Sequence, residues 1–207
     1  MGKRKISGKR GFSFENMKET KLKKGVRLVA LVPIQPKHFA ILYSWRLEPN
    51  TARHNPTANL TLAQYKTRLS KVSSNLKERG KWDFRWMSEI GGVAVGSVSL
   101  DVNLQQNYGE LGYLVSQKHQ GRGIGGKMVP LFVDKVFRES KLDRIVATVS
   151  EKNAASRAIL ERIGSVQEGV LRNHFLIQGK RVNQIFYGLL RSEWRPPGCI
   201  GWLTSGF

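Results

Sequence analysis

The sequence predicts an α+β domain with the element order βααβββαβαββ. Three observations carry this. The hydropathy period switches from three-to-four before Gly80 to two after it, a glycine-rich loop stands between a strand and a helix, and an Asn-x-x-Ser helix start follows that loop by about thirty residues. The run VRLVALVPI from Val26 alternates and is rich in β-branched residues, which predicts a first strand stopped by Pro33 and Pro36. Lys37 to Leu47 places Phe39, Leu42, Tyr43 and Trp45 or Arg46 on one helical stripe. After Asn59, the residues Leu62, Tyr65, Leu69, Val72 and Leu76 keep helical spacing through TLAQYKTRLSKVSSNLKERG, which predicts a second helix.

Beyond Gly80, WDFRWMSEI, a turn at Gly91 and Gly92, VAVGSVSLDVN and, after a polar loop, GELGYLVS read as three antiparallel strands in a meander. A helix follows from about Gly123 to Ser140, where Pro130 removes a backbone donor and predicts a kink or a late helix start. LDRIVATVS reads as a strand and Asn153 to Ile163 as a helix. Val166 to Leu176 and Arg181 to Leu190 read as a terminal hairpin turned at Gly179. The expected organisation is a basic flexible arm over residues 1–24, one domain over 25–194 and an extension over 195–207.

Composition narrows the function classes. The 207 residues suffice for a real core, and the single cysteine, Cys199, can form no internal bridge and no Cys-based metal cluster, which suits a reducing compartment. No stretch of eighteen apolar residues exists and the basic amino terminus lacks a signal-peptide core, so a cytoplasmic protein with no membrane partner is expected. Gly2 does not begin a myristoylation pattern, because Ile6 stands where Ser or Thr is needed. Thirty-five basic against fifteen acidic side chains give +20, and residues 1–27 supply only +8 of it. Such a field attracts anions: a nucleic acid, a ribosome or an anionic cofactor.

The segment His119 to Met128, HQGRGIGGKM, fits three phosphate-binding patterns. Gly121, Gly123 and Gly126 satisfy G-x-G-x-x-G, but the next strand ends in Val149 and Ser150 without the acidic residue a dinucleotide site wants. Gly121 to Lys127 satisfies G-x-x-x-x-G-K, but Met128 replaces the magnesium-binding hydroxyl. Gln120, Gly123 and Gly125 satisfy Q-x-x-G-x-G between a strand and a helix. Residues without Cβ let several N–H groups turn on one diphosphate, and the helix start adds its positive end. A glycine-rich turn without a ligand fits the same spacing.

Read together with NAASRAILERIGSVQEGVLR, in which Asn153 and Ser156 open the next helix, the loop resembles that of the GNAT acetyltransferases. Gly112 to Trp194 is similar to the RimJ/RimL-type branch, while the first ninety residues match only in their strand-helix-helix order. The resemblance implies a mixed central sheet with helices on both faces and acetyl-CoA (coenzyme A) as cofactor. It implies that backbone at Leu114 and Val115 holds the pantetheine arm. It also implies that Gln120, Gly121, Arg122, Gly123, Ile124, Gly125 and Gly126 hold the pyrophosphate, and that Asn153 and Ser156 line the thioester end. Two family positions differ: Leu160 stands where many members have a Tyr acid, and Thr148 where many have Glu. Asn183 stands where the branch often has Asp.

An amine attacks a thioester only when neutral. Reaching that state at pH 7 costs about 1.4 kcal/mol for an α-amine and about 4.6 kcal/mol for a Lys-type amine, so an α-amine is the easier acceptor. Ser156 is the candidate proton donor to the leaving thiolate, His174 and Glu110 are the candidate bases, a base acting through water being a further choice, and the Val115 N–H is the candidate oxyanion donor. No metal is expected. Trp45, Arg46, Arg53 and His54 cluster where an acceptor pocket would form, and equally suit core and surface. The expected function is N-acetylation of an amine, either a protein N-terminus such as that of a ribosomal protein or a small amine. The second reading is a basic RNA- or ribosome-binding scaffold without catalysis, using the arm. Trp202 and Phe207 in the extension suit packing against the domain or against a second copy in a homodimer.

Overall fold

The computed structural model describes residues 28–56 and 60–196, so the expected arm, Gly2, Cys199, Trp202 and Phe207 lie outside the described residues. The described residues still carry 25 basic and 13 acidic side chains, an excess of +12.

Seven strands form one mixed sheet in the order β1-β2-β3-β4-β5-β7-β6. Strand β1 (Val29–Pro33) leads into three helices, α1 (Phe39–Leu47), α2 (Pro49–Ala52) and α3 (Leu62–Leu69). The meander β2 (Asp83–Ile90), β3 (Val93–Asn103) and β4 (Tyr108–Val115) follows. Then come α4 (Ile124–Glu139), β5 (Arg144–Ser150), α5 (Ala154–Arg162) and the hairpin β6 (Val166–Ile177) and β7 (Lys180–Leu190). Among the described residues, no helix is long and apolar enough to cross a membrane.

Period-two burial builds a core on each face of the sheet. Phe84, Trp86, Val98, Leu100, Leu111, Ile145, Ala147, Ile185 and Tyr187 point to one face, where Met128, Val129, Phe132, Val133 and Val136 of α4 and Leu160 of α5 cover them. Met87 and Leu114 point to the other, under Phe39, Leu42 and Trp45 of α1 and Tyr65 and Leu69 of α3. A helical stripe packed on an alternating strand is the cheapest way to hide both apolar faces.

Three expectations need correction. The second helix ends at Leu69 and not near Leu76, because Ser70, Ser73, Ser74 and Asn75 turn their side chains onto nearby backbone and compete with helix bonds. Ser73 instead makes a lone parallel bridge to Phe84. The residues after Glu48, expected as loop, form the short helix α2, started by Pro49 at its first position. Helix α4 runs unbroken through Pro130 from its start at Ile124. Val129, Phe132 and Val133 are fully buried around the proline and hold the helix where a backbone bond is missing. The turn at Gly91 and Gly92 is as expected, with φ of +58° and +78°.

The joint between β4 and β5 positions the site. They pair in parallel over only three residues, Tyr108↔Arg144, Gly109↔Ile145 and Glu110↔Val146. Beyond Glu110 they part: β4 stays on β3 through Val115, and β5 stays on β7 through Ser150. The closed end is fastened by Asn107, whose Nδ2 donates to Asp143 Oδ2 at 2.6 Å and to Lys141 O at 3.1 Å, and by Asp143 N donating back to Asn107 O. Arg191 ties the same corner: its guanidinium donates to Leu142 O at 2.7 Å, to Ser140 O at 3.0 Å and to Phe137 O, closing the carboxyl end of α4.

Candidate active site

The parted strands leave a wedge, and β4 runs along it into the glycine loop. Ser116 turns the chain: its N–H donates to Val95 O at 3.0 Å and its hydroxyl lies 2.9 Å from His119 Nδ1. Gln120 folds back, its Nε2 donating to Val115 O at 3.0 Å while its Oε1 accepts from Asn50 Nδ2 at 3.0 Å. Glu48 Oε2 accepts from Gln117 N at 2.7 Å. The α1–α2 junction therefore clamps the loop from the side, which the sequence pattern did not disclose because Glu48 and Asn50 lie some seventy residues upstream.

The loop glycines divide by role. Gly121 and Gly123 have φ of +73° and +68°, and a Cβ on either would meet nothing within 4 Å, so both serve the left-handed backbone and leave open space above it. Gly125 differs: a Cβ there would stand 2.7 Å from Ile159 Cδ1, so this glycine lets α4 and α5 cross closely. Among the described residues, none accepts a hydrogen bond from the amides of Gly121, Arg122 or Gly123. The first-turn amides of Ile124, Gly125 and Gly126 have no acceptor within their own helix. Arg122 and Lys127 are exposed beside them. These unpaired donors, the helix start and the open space fit a diphosphate.

Across the wedge, Asn153 caps α5 by accepting from Ser156 N at 3.2 Å. Ser156 is half-buried, with its side chain beside the Tyr113 hydroxyl. Its carbonyl accepts from Tyr113 Oη at 3.1 Å, so β4 and α5 touch through this bond. Tyr113 escaped the sequence reading because its alternation in GELGYLV marks it only as a core residue. Burial pushes its hydroxyl up to about 12. A group whose pKa is raised on folding contributes stability that is complete below its unfolded value near 10 and is lost as pH climbs through the folded value. The alkaline limb of the stability curve between about pH 10 and 12 is therefore expected to flatten in Tyr113→Phe, as measured by urea titrations across that range.

Glu110 sits where the wedge closes, and its Oε1 accepts from Thr148 Oγ1 at 3.0 Å. Both belong to the sheet face that carries α1 and α3, opposite the face that carries α4 and α5. Hydrogen bonds thus tie Gln120 to Val115, Tyr113 to Ser156 and Glu110 to Thr148 around the parting of β4 from β5. His174 does not join them. It lies exposed on β6, stacked on Phe175 with ring centroids 4.5 Å apart, and β7 stands between its strand and β5. Asn183 links that region to the cleft rim, accepting from Asn173 N at 2.9 Å and donating to Glu151 Oε2 at 3.1 Å. Of the cluster expected to form the acceptor pocket, Trp45 is buried core and the Arg46 guanidinium lies over the Tyr65 ring. His54 is held below the usual histidine range by burial and by Arg53, and its Nδ1 has no partner among the described residues.

Residues 28–166 match the family described as the acetyltransferase (GNAT) domain, which is more than half of the chain. The chain belongs to the GNAT acetyltransferase family. A putative ribosomal N-acetyltransferase, YdaF of Bacillus subtilis (strain 168), is 32% identical over 105 residues. That match spans 50% of this chain and 57% of YdaF, so the chain covers little more than half of that relative. Mycobacterium smegmatis RimJ in complex with CoA-disulfide superposes with a TM-score of 0.69 at 22% identity, over 80% of this chain and 83% of RimJ. Spermidine N-acetyltransferase from Vibrio cholerae, in complex with CoA and spermine, gives a TM-score of 0.70 at 19% identity, over 80% and 96%. The GNAT fold therefore extends over the described domain.

Proposed function

We propose that this GNAT chain transfers an acetyl group from acetyl-CoA to an amine that enters the wedge from the α1/α3 face. The observation that carries the reading is the parting of β4 from β5 after Glu110, with the freed end of β4 leading into a loop whose successive amides lack acceptors among the described residues. Leu114 and Val115 are the backbone positions for the pantetheine arm, Gln120 to Gly126 for the pyrophosphate, and Asn153 and Ser156 flank the reacting end. Bound acetyl-CoA supplies an acetyl group activated as a thioester.

The chain's own groups supply proton handling and orientation. Glu110 lies on the acceptor face at the closed end of the wedge and is the favoured base, directly or through water. His174, one strand beyond β7, serves only an acceptor long enough to reach β6. The Ser156 hydroxyl, beside Tyr113, is the candidate to give a proton to the departing thiolate, and the Val115 N–H is the candidate oxyanion donor. A protein α-amine or a small amine fits this chemistry, the α-amine at lower cost of deprotonation. We assign the enzyme to the cytoplasm and the basic arm to contact with a ribosome or RNA.

The test is release of free thiol from acetyl-CoA by the purified chain, across a panel of N-terminal peptides and small amines. Saturable turnover with at least one amine, together with thermal protection by acetyl-CoA, is the expected result. Absence of both would overturn the assignment.

A further inference from the structure

Residues 66–82, KTRLSKVSSNLKERGKW, contain six basic side chains and one acidic one. The fold gathers part of this run around a hollow of about 360 Å³ lined by Arg68, Lys71, Arg79, Gly80, Lys81, Trp82 and Asp83. It opens at the start of β2, at the end of the sheet where β4 begins and away from the glycine loop that follows β4's end. Trp82 is 57% exposed, the one exposed Trp, Tyr or Phe among the described residues. Trp45, Trp86 and Trp194 are all buried. An indole left in water amid cations is a stacking platform rather than a core residue.

Four cations line the hollow against one acidic side chain, Asp83. Among the described residues, no carboxylate lies within salt-bridge distance of Arg68, Lys71 or Arg79, while Lys81 is 3.8 Å from Glu78 and donates to Lys71 O at 3.2 Å. Asp83 is the exception in sign. It is only 9% exposed, lines the hollow, and its Oδ1 has no hydrogen-bond partner. Asp101 stands opposite it in register on β3, where it also carries an enclosed Oδ1 without a partner among the described residues and lies in the field of Arg85 and Arg68. The Asp83 oxygen is enclosed by the fold, so what Asp83 lends to the hollow is its negative charge. That charge disfavours a phosphate at the floor of the hollow, whereas an uncharged base can lie on the exposed indole.

We propose that this hollow binds single-stranded nucleic acid, with an unpaired base stacked on Trp82 and the neighbouring phosphates on Arg68, Lys71, Arg79 and Lys81. The site is separate from the acetyl-transfer wedge and does not depend on catalysis there. It places part of the chain's affinity for polyanions on the folded domain and not on residues 1–24.

The probe is a short single-stranded oligoribonucleotide titrated into the full chain, read by tryptophan fluorescence and by salt dependence. Binding is expected to quench the emission. Trp82→Ala should weaken binding about tenfold and abolish the quench, with the melting temperature of the protein unchanged because the indole is exposed. Arg79→Ala with Lys81→Ala should lower the slope of log affinity against log salt by about 1.4, the share of two phosphate contacts on a single strand. The same sequence annealed into a duplex, or inorganic polyphosphate, should bind without the quench, since neither offers an unstacked base. Equal affinity of Trp82→Ala and the parent protein for the single strand, or equal quenching by duplex and polyphosphate, overturns the proposal and assigns any binding to unspecific charge.

Discussion

Gly123→Asp is expected to bind acetyl-CoA at least about a hundredfold more weakly than the parent protein, with little loss of fold stability. Gly123 holds φ +68° at the N-cap of α4, and Asp is among the few residues that accept this region at modest cost. An added Cβ meets no protein atom, so the variant should fold. The new carboxylate would occupy the space over the loop amides and bring a negative charge to the position proposed for a diphosphate. A hundredfold loss corresponds to about 2.7 kcal/mol, the scale of several charge-assisted hydrogen bonds acting together. Calorimetric titration with acetyl-CoA measures it. Unchanged affinity with an unchanged melting temperature would move the cofactor away from this loop.

Gly96→Val is expected to have the largest effect on the fold. Gly96 lies on β3 opposite Val115, and a Cβ there would stand 2.5 Å from Leu114 O and 3.2 Å from Met128 Sδ. Met128 can yield, but a backbone carbonyl in a paired strand cannot move without shifting β4. Overpacking of this kind costs on the order of 3 kcal/mol, which lowers the melting point by roughly 6–12 °C in a domain of this size. The shifted segment is the one proposed to hold the pantetheine arm, so KM for acetyl-CoA should rise in the molecules that remain folded. A melting curve and a KM that both match the parent protein would show that β3 and β4 tolerate the side chain and that the close contact is unimportant.

Gly96 and Gly125 show where the sequence stops speaking. Each is a glycine because a particular distant atom, Leu114 O or Ile159 Cδ1, comes close, and no local pattern reveals that. Gly121 and Gly123 were legible, since a loop that needs left-handed backbone beside a helix start leaves a spacing signature. The strands were legible from their alternation, down to the bounds of β3 at Val93 and Asn103. The parallel join of β4 to β5 was not, because it rests on three register pairs brought together by α4, and the order β5-β7-β6 places the last strand inside the sheet. Asn153 and Ser156 were found as a helix start. Their partner Tyr113 was hidden, since a half-buried tyrosine in a strand looks like any other core residue until α5 is seen against it.

The split sheet makes the domain resemble a pair of tongs. One jaw is β1 to β4, the other is β5 with the terminal hairpin, and the pivot is the corner where Asn107, Asp143 and Arg191 interlock. Near the open tips of the jaws, the Tyr113 bond to Ser156 crosses the gap, and the missing side chain at Gly125 lets α4 pass close to Ile159 of α5. An object seated between the tips would splice the jaws along their length, so backbone amides of Leu111 to Val115 and of Ala147 to Ser150 should exchange with deuterium more slowly as a group once acetyl-CoA is added, while those beside the pivot keep their rate.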